Sequence, residues 1–104
     1  MSQTYRSRRA RLAARTVQLR ADGQTWVEIA ARIREEEHVN SRVAMRMAHG
    51  WTQARVAELW NERWPTDAGN PGLTDKNISY WETWPESGHE PSLKTLKRLA
   101  QLYQ

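Results

Sequence analysis

Residues 75–83, DKNISYWET, gather side chains that donate and accept hydrogen bonds in different geometries. In a major groove Lys76 suits guanine O6 and N7, Asn77 suits adenine, and Asp75 can accept from cytosine N4. Tyr80 can bond a phosphate or pack on a thymine methyl. Ser79 and Thr83 add hydroxyls. This chemistry reads bases only if a core holds the opposite side of the segment. Ile78 and Trp81, three apart, supply that side on a helix. At about 100° per residue, Lys76, Tyr80 and Thr83 lie nearly opposite the two apolar residues, Ser79 sits at the edge, and Asp75 and Asn77 flank the N-terminal end. The competing expectation is an ordinary solvated helix surface.

Other chemistries find little support. There are no cysteines, which excludes disulfides, thiolate zinc sites and cysteine nucleophiles. His38, His49 and His89 stand in unrelated contexts, without metal-ligand spacing. Asp22, Asp67 and Asp75 form no carboxylate pair, and AGNPG lacks the strand and the Lys-Ser/Thr of a phosphate loop. No catalytic, metal or cofactor site is expected. No apolar run approaches the ~20 residues that span a bilayer, and the start MSQTYRSRRAR has no apolar signal core. The expected location is cytoplasmic, on the nucleoid.

Net charge is +4 with a pI of about 10.0. Residues 1–20 hold six arginines and no acid, whereas residues 41–104 hold eight Lys/Arg against seven Asp/Glu. The basic field is therefore concentrated at the N-terminus, where Arg6, Arg8, Arg9 and Arg11 are candidates for phosphate contact.

The positioning elements all carry helical periodicity. Residues 1–8 have nothing to bury and read as a disordered basic arm. A helix is expected from about Arg9 to Ala21, with Leu12, Thr16 and Leu19 on one side and Gly23 as the stop. Thr25 and Glu28 form a capping box before Trp26, Ile29, Ala30 and Ile33, an amphipathic stripe. Glu35, Glu36 and Glu37 then stand at the end that the helix dipole disfavours for acids, so this end frays or pairs with arginines. A third helix starts at Asn40 or Ser41 and stops at Gly50. A fourth, capped by Thr52, buries Ala57, Trp60 and Trp64 and ends at Pro65. The loop TDAGNPG leads to Thr74, the cap of the opening segment. The last helix starts at Ser92 and is expected to turn Leu93, Leu96, Leu99, Ala100 and Tyr103 inward. No period-two pattern occurs, so the chain reads as all-α with six short helices.

Several of these features share an order. Gly50-Trp51-Thr52-Gln53, Ala57, Ile78-Ser79-Tyr80-Trp81-Glu82, and Pro91-Ser92-Leu93 with Leu99-Ala100 together resemble the Cro/phage-repressor-like (XRE-type) helix-turn-helix family, over about residues 40–104. Arg, Trp and Ala usage is similar to that of actinobacterial regulators. The resemblance implies a four-helix DNA-binding domain at 40–104, preceded by an accessory or dimerising helical hairpin at 9–39. It implies a transcriptional regulator, a repressor, that binds double-stranded DNA as a homodimer. The helix at 75–83 would read bases through Asp75, Lys76, Asn77, Ser79 and Tyr80. Thr52, Gln53 and Thr83 would meet phosphates, and Arg46 would pair with Glu82 as a structural bridge. A protein partner or an effector domain beyond residue 104 would fit the same pattern. Two departures stand out. PTDAGNPGL makes the turn before the reading helix far longer than the family's, and TWPESGHEPS after it carries no Lys or Arg. Two other functions therefore stay open: a protein-interaction module of this fold (antitoxin or adaptor), and sequence-independent nucleic-acid binding through the N-terminal arginines.

Overall fold

The computed structural model describes residues 5–104, with side chains from residue 8 onward. Among these residues there are six helices and no strand, an all-α chain: α1 (Tyr5–Ala21), α2 (Trp26–Glu37), α3 (Ser41–Ala48), α4 (Gln53–Arg63), α5 (Asp75–Thr83) and α6 (Leu93–Leu102). None is long and apolar enough to cross a membrane. The expected disordered arm at 1–8 is partly helix, because α1 begins at Tyr5. Ion pairs from Arg8 and Arg11 hold its first turns. Residues 1–4 and the Arg6 side chain lie outside the described residues.

Two compact units divide the chain, residues 1–51 and 52–104. In the first, Leu12 of α1, Ile29, Ala30 and Ile33 of α2, and Ala44 and Ala48 of α3 form one buried cluster, flanked by Leu19, Trp26, Val39, Met45 and Met47. Helix α3 thus packs with the hairpin before it, whereas the sequence reading grouped it with the helices after it. The physical reason is the small-residue face Ala44–Ala48, which seats directly on the Ile29–Ile33 stripe. The capping box forms as expected: the Glu28 N–H donates to Thr25 Oγ1 at 3.2 Å and the Thr25 N–H to Glu28 Oε1 at 3.1 Å. Asn40 caps α3 by accepting from the Val43 N–H at 3.0 Å.

His49, the cap residue after α3, is half-buried. Its ring stacks on Trp26, with centroids 4.1 Å apart, and lies 4.5 Å from that of Trp51. Its Nδ1–H donates to the Met45 carbonyl at 2.9 Å. Burial lowers its pKa, the Met45 carbonyl partly opposes this, and the nearby Arg20 charge adds to it.

The second unit is built around tryptophan. Val56, Ala57 and Trp60 of α4 are buried with Ile78 of α5, with Leu99 of α6 and with Tyr103, the cap residue that follows it. The Trp60 ring lies 5.0 Å from Trp64 and 5.5 Å from Trp81. Leu93 and Leu96, expected inward, are 68% and 40% exposed. Only the side of α6 bearing Leu99, continued by Tyr103, reaches the core.

The long loop before α5 has its own framework. The Asn70 N–H donates to the Asp67 carbonyl, the Thr66 hydroxyl to the Asn70 carbonyl, and the Gly72 N–H to Asn70 Oδ1. From α4, the Asn61 carboxamide then grips the Leu73 backbone at both groups. Its Nδ2 donates to the Leu73 carbonyl and its Oδ1 accepts from the Leu73 N–H, both at 2.9 Å. Gly72 makes room for this grip. Its φ is +71°, and a Cβ there would stand 2.7 Å from Asn61 Oδ1.

Two outcomes follow. Asn61→Ala leaves the Leu73 amide to water and should cost about 1–2 kcal/mol, seen as a lower denaturant midpoint at unchanged slope. Asn61→Asp, which keeps only the acceptor, should fall between. A wild-type midpoint for Asn61→Ala would mean that the loop holds itself. Burial lowers the His49 pKa in the fold, whereas an unfolded chain protonates it near pH 6.5. Stability is therefore complete above that pH, falls as the pH drops through it, and levels off below the folded-state value. Thermal melts should show a lower midpoint at pH 5 than at pH 7.5. His49→Phe, which keeps a stacked ring, should remove most of that difference.

Candidate nucleic-acid interface

The free face of α5 stands between two anchors. At its start, Thr74 follows the gripped Leu73, and the Thr74 N–H donates to Asn77 Oδ1 at 3.0 Å. At its far end, Glu82 is buried and accepts from Gln53 Nε2 at 3.0 Å, tying the last turn of α5 to the first turn of α4. The chain after α5 folds back on it. The Ser87 N–H donates to the Thr83 carbonyl and the His89 N–H to the Tyr80 carbonyl, each at 3.1 Å. A Cβ at Gly88 would run into that Tyr80 carbonyl. These bonds satisfy carbonyls that the helix end leaves open.

Between the anchors, Ile78 and Glu82 point inward, while Asp75, Lys76 and Tyr80 are exposed. Lys76 enters no ion pair among the described residues, so its ammonium is available. Tyr80 is 43% exposed, with its ring edge-on to His89 at 4.9 Å between centroids. His89 is a neighbour that sequence reasoning missed. The signal for it was weak: Gly88, a residue able to turn the chain back, just before it.

The other candidates have prior engagements. Asn77 is half-buried, and its Oδ1 accepts from both the N–H and the hydroxyl of Thr74. Two-point recognition of adenine needs a donor and an acceptor together, so as arranged Asn77 offers only its Nδ2. Ser79 is half-buried at the edge of the face. Thr83 directs its hydroxyl proton to the Ser79 and Tyr80 carbonyls at 3.1 and 3.4 Å, leaving lone pairs toward any phosphate. Gln53 holds Glu82 through its Nε2. Thr52 accepts from the Arg55 N–H at 3.1 Å as the cap of α4, which leaves its own O–H free to donate. Arg46 is buried in α3 and donates from Nη1 to the Trp51 carbonyl at 3.1 Å. Glu82 is buried in the other unit, so both members of the expected bridge are interior residues.

The N-terminal arginines are largely claimed by the acidic run at the end of α2. Arg8 and Arg11 converge on Glu37 at 2.9 and 2.7 Å, and Arg15 meets Glu36 at 2.6 Å. The Arg11 hydrogen bond, helped by the Arg8 and Arg11 charges, holds the Glu37 carboxyl below its usual range despite partial burial. Of the two outcomes expected for this acidic run, the fold adopts pairing. Arg9 is exposed on the same helix.

Among the described residues no group of three His, Asp or Glu side chains is placed to hold a metal ion. No family profile, curated protein or solved structure matches this chain.

Proposed function

We propose that the chain is a transcriptional regulator of the XRE-like helix-turn-helix kind, which binds double-stranded DNA and reads its major groove with α5. One observation carries this reading. Helix α5 is fixed at both ends, by Asn61 on Leu73 and by Gln53 on Glu82, while Asp75, Lys76 and Tyr80 stand exposed, Lys76 and Tyr80 on the side away from Ile78 and Asp75 on the flank of the first turn. A base-reading helix needs that combination of a held back and an open front.

The exposed residues specify a preference. Lys76 donates to guanine O6 and N7, and the adjacent Asp75 accepts from cytosine N4. A G·C pair therefore faces the first turn of α5. Tyr80, one turn further on, packs on a thymine methyl or bonds a phosphate. The Thr52 hydroxyl and the open N–H groups at the start of α4 take a backbone phosphate. A repressor acting as a homodimer on the nucleoid is the form of this reading that the sequence pattern favours.

Sequence-independent binding through the N-terminal arginines is the weaker alternative, because Arg8, Arg11 and Arg15 already have carboxylate partners. Residues 52–104 carry six Lys/Arg against seven Asp/Glu. Phosphate attraction by that unit alone is therefore small, and its affinity must come from fitted contacts.

Selection from a random duplex pool should enrich one G·C-containing half-site. On it, Lys76→Ala or Tyr80→Ala should weaken binding about tenfold or more, as losing one good base contact does, with the melting curve unchanged. Undiminished affinity in both variants would remove α5 as the reader. Separately, Glu36→Gln with Glu37→Gln releases Arg8, Arg11 and Arg15. Binding to random duplex should then tighten at low salt. The slope of log K against log salt should steepen by up to about 3, roughly 0.9 for each phosphate neutralised. An unchanged slope would mean that these arginines never reach the backbone.

A further inference from the structure

The exposed leucines of α6 border a feature that the reading of α5 does not use. An open cavity of about 440 Å³ lies between the end of α4 and the outer side of α6, lined by Trp64, Leu93, Lys94, Lys97, Arg98 and Gln101. Lys94, Lys97 and Gln101 recur at helical spacing, on the side away from the buried Leu99 and Tyr103. Arg98 is held in place by two rings, its guanidinium carbon 4.7 Å from the Trp64 centroid and 5.4 Å from that of Trp60. None of Lys94, Lys97 and Arg98 enters an ion pair among the described residues. Leu93, 68% exposed, supplies apolar surface at the rim.

We infer that this cavity docks an acidic peptide segment of a protein partner. The segment presents carboxylates to Lys94, Lys97 and Arg98 and an apolar side chain to Leu93 and Trp64. Three cations within five residues, left without carboxylates of their own, set the charge of the ligand. The stacked guanidinium is pre-oriented, so the N–H edge it keeps free can meet a carboxylate in the two-point manner. A nucleic acid fits less well. The Trp64 ring already carries the Arg98 guanidinium and, at 5.2 Å, that of Arg63, so it is not open to stack a base. A phosphodiester backbone would leave Leu93 unmatched.

The test is a titration of the isotope-labelled full chain, followed by amide chemical shifts, with a short synthetic peptide rich in glutamate and leucine. Poly-glutamate and random duplex are the comparison ligands. Saturable shifts confined to Trp64 and residues 93–101 are expected. Lys94→Glu with Lys97→Glu should weaken the peptide at least tenfold, and Leu93→Ser should weaken it several-fold. All three positions are exposed, and circular dichroism checks that the variants fold. Poly-glutamate should bind at least tenfold more weakly than the mixed peptide. Absence of shifts with the peptide, or equal shifts with poly-glutamate, overturns the inference. Stronger shifts of the same amides with duplex overturn it in favour of a nucleic-acid surface. Because α5 takes no part, a failure here is separable from a failure of the Lys76 and Tyr80 variants on their half-site.

Discussion

The Asn61 carboxamide on the Leu73 backbone is the constraint from which the second unit takes its shape. An eleven-residue connection between helices would ordinarily leave the following helix free to start in many places. The backbone N–H and C=O of Leu73 must find partners if they leave water, and one carboxamide meets both in the manner of a neighbouring strand. The grip fixes where the chain enters α5. The Thr74–Asn77 bonds then start the helix, and its rotation follows, with Ile78 inward and Lys76 outward. Gly72 belongs to the same device, because a side chain there would occupy the space of the Asn61 oxygen. The far end has a charged counterpart in Glu82 and Gln53. A buried carboxylate is costly unless hydrogen-bonded, so this bond both satisfies Glu82 and sets the last turn of α5 against α4.

Between those ends the packing is done by indoles. The chain has no phenylalanine and six tryptophans. In the second unit Trp60, Trp64 and Trp81 fill the space that several aliphatic residues would otherwise share. Large rings bury much area at little side-chain entropy, which suits a unit of three short helices. They also bind cations on their faces, so the cluster that holds α5 from behind holds Arg98 on its other side. The first unit shows the same economy, with His49 against Trp26 and Trp51 and Arg20 over Trp26 at 4.4 Å. There burial beside the rings lowers the pKa of an imidazole and so couples the end of α3 to pH.

What could be read from the sequence was local. Thr25 with Glu28, the cap residues Asn40, Thr52 and Ser92, and the Ile29–Ile33 stripe each depend on residues within two turns, and the helices stand close to where that spacing puts them. The inward face of α5 was legible for the same reason. Asn61 was not, because a polar residue on a helix carries no mark of a partner twelve positions away. The engagements of Asn77 and Gln53 were hidden likewise: both are suited to meeting nucleic acid, and both are equally suited to capping a helix or tying two together. Leu93 and Leu96 misled in the opposite sense. Apolar periodicity predicts a buried side, but α6 has a neighbour for only part of its stripe. The start of α1 was missed because its polar residues are held by charge rather than by burial.

Under the proposed reading, the charge distribution requires α5 to work through fitted contacts. A net charge of +4 and an arginine-rich start suggest a molecule drawn to any polyanion. Yet three of those arginines lie against Glu36 and Glu37, and the second unit is close to neutral. Ion pairs exposed to this degree are individually weak, so a phosphate backbone at low salt can compete for the arginines, and at higher salt the advantage fades. The internal carboxylates thereby lower the sequence-independent part of any binding to a polyanion, and the proposed reading assigns the specific part to Asp75, Lys76 and Tyr80. A reader with a weakened general attraction gains discrimination at the expense of affinity, because its ratio of specific to non-specific binding rises as the second term falls.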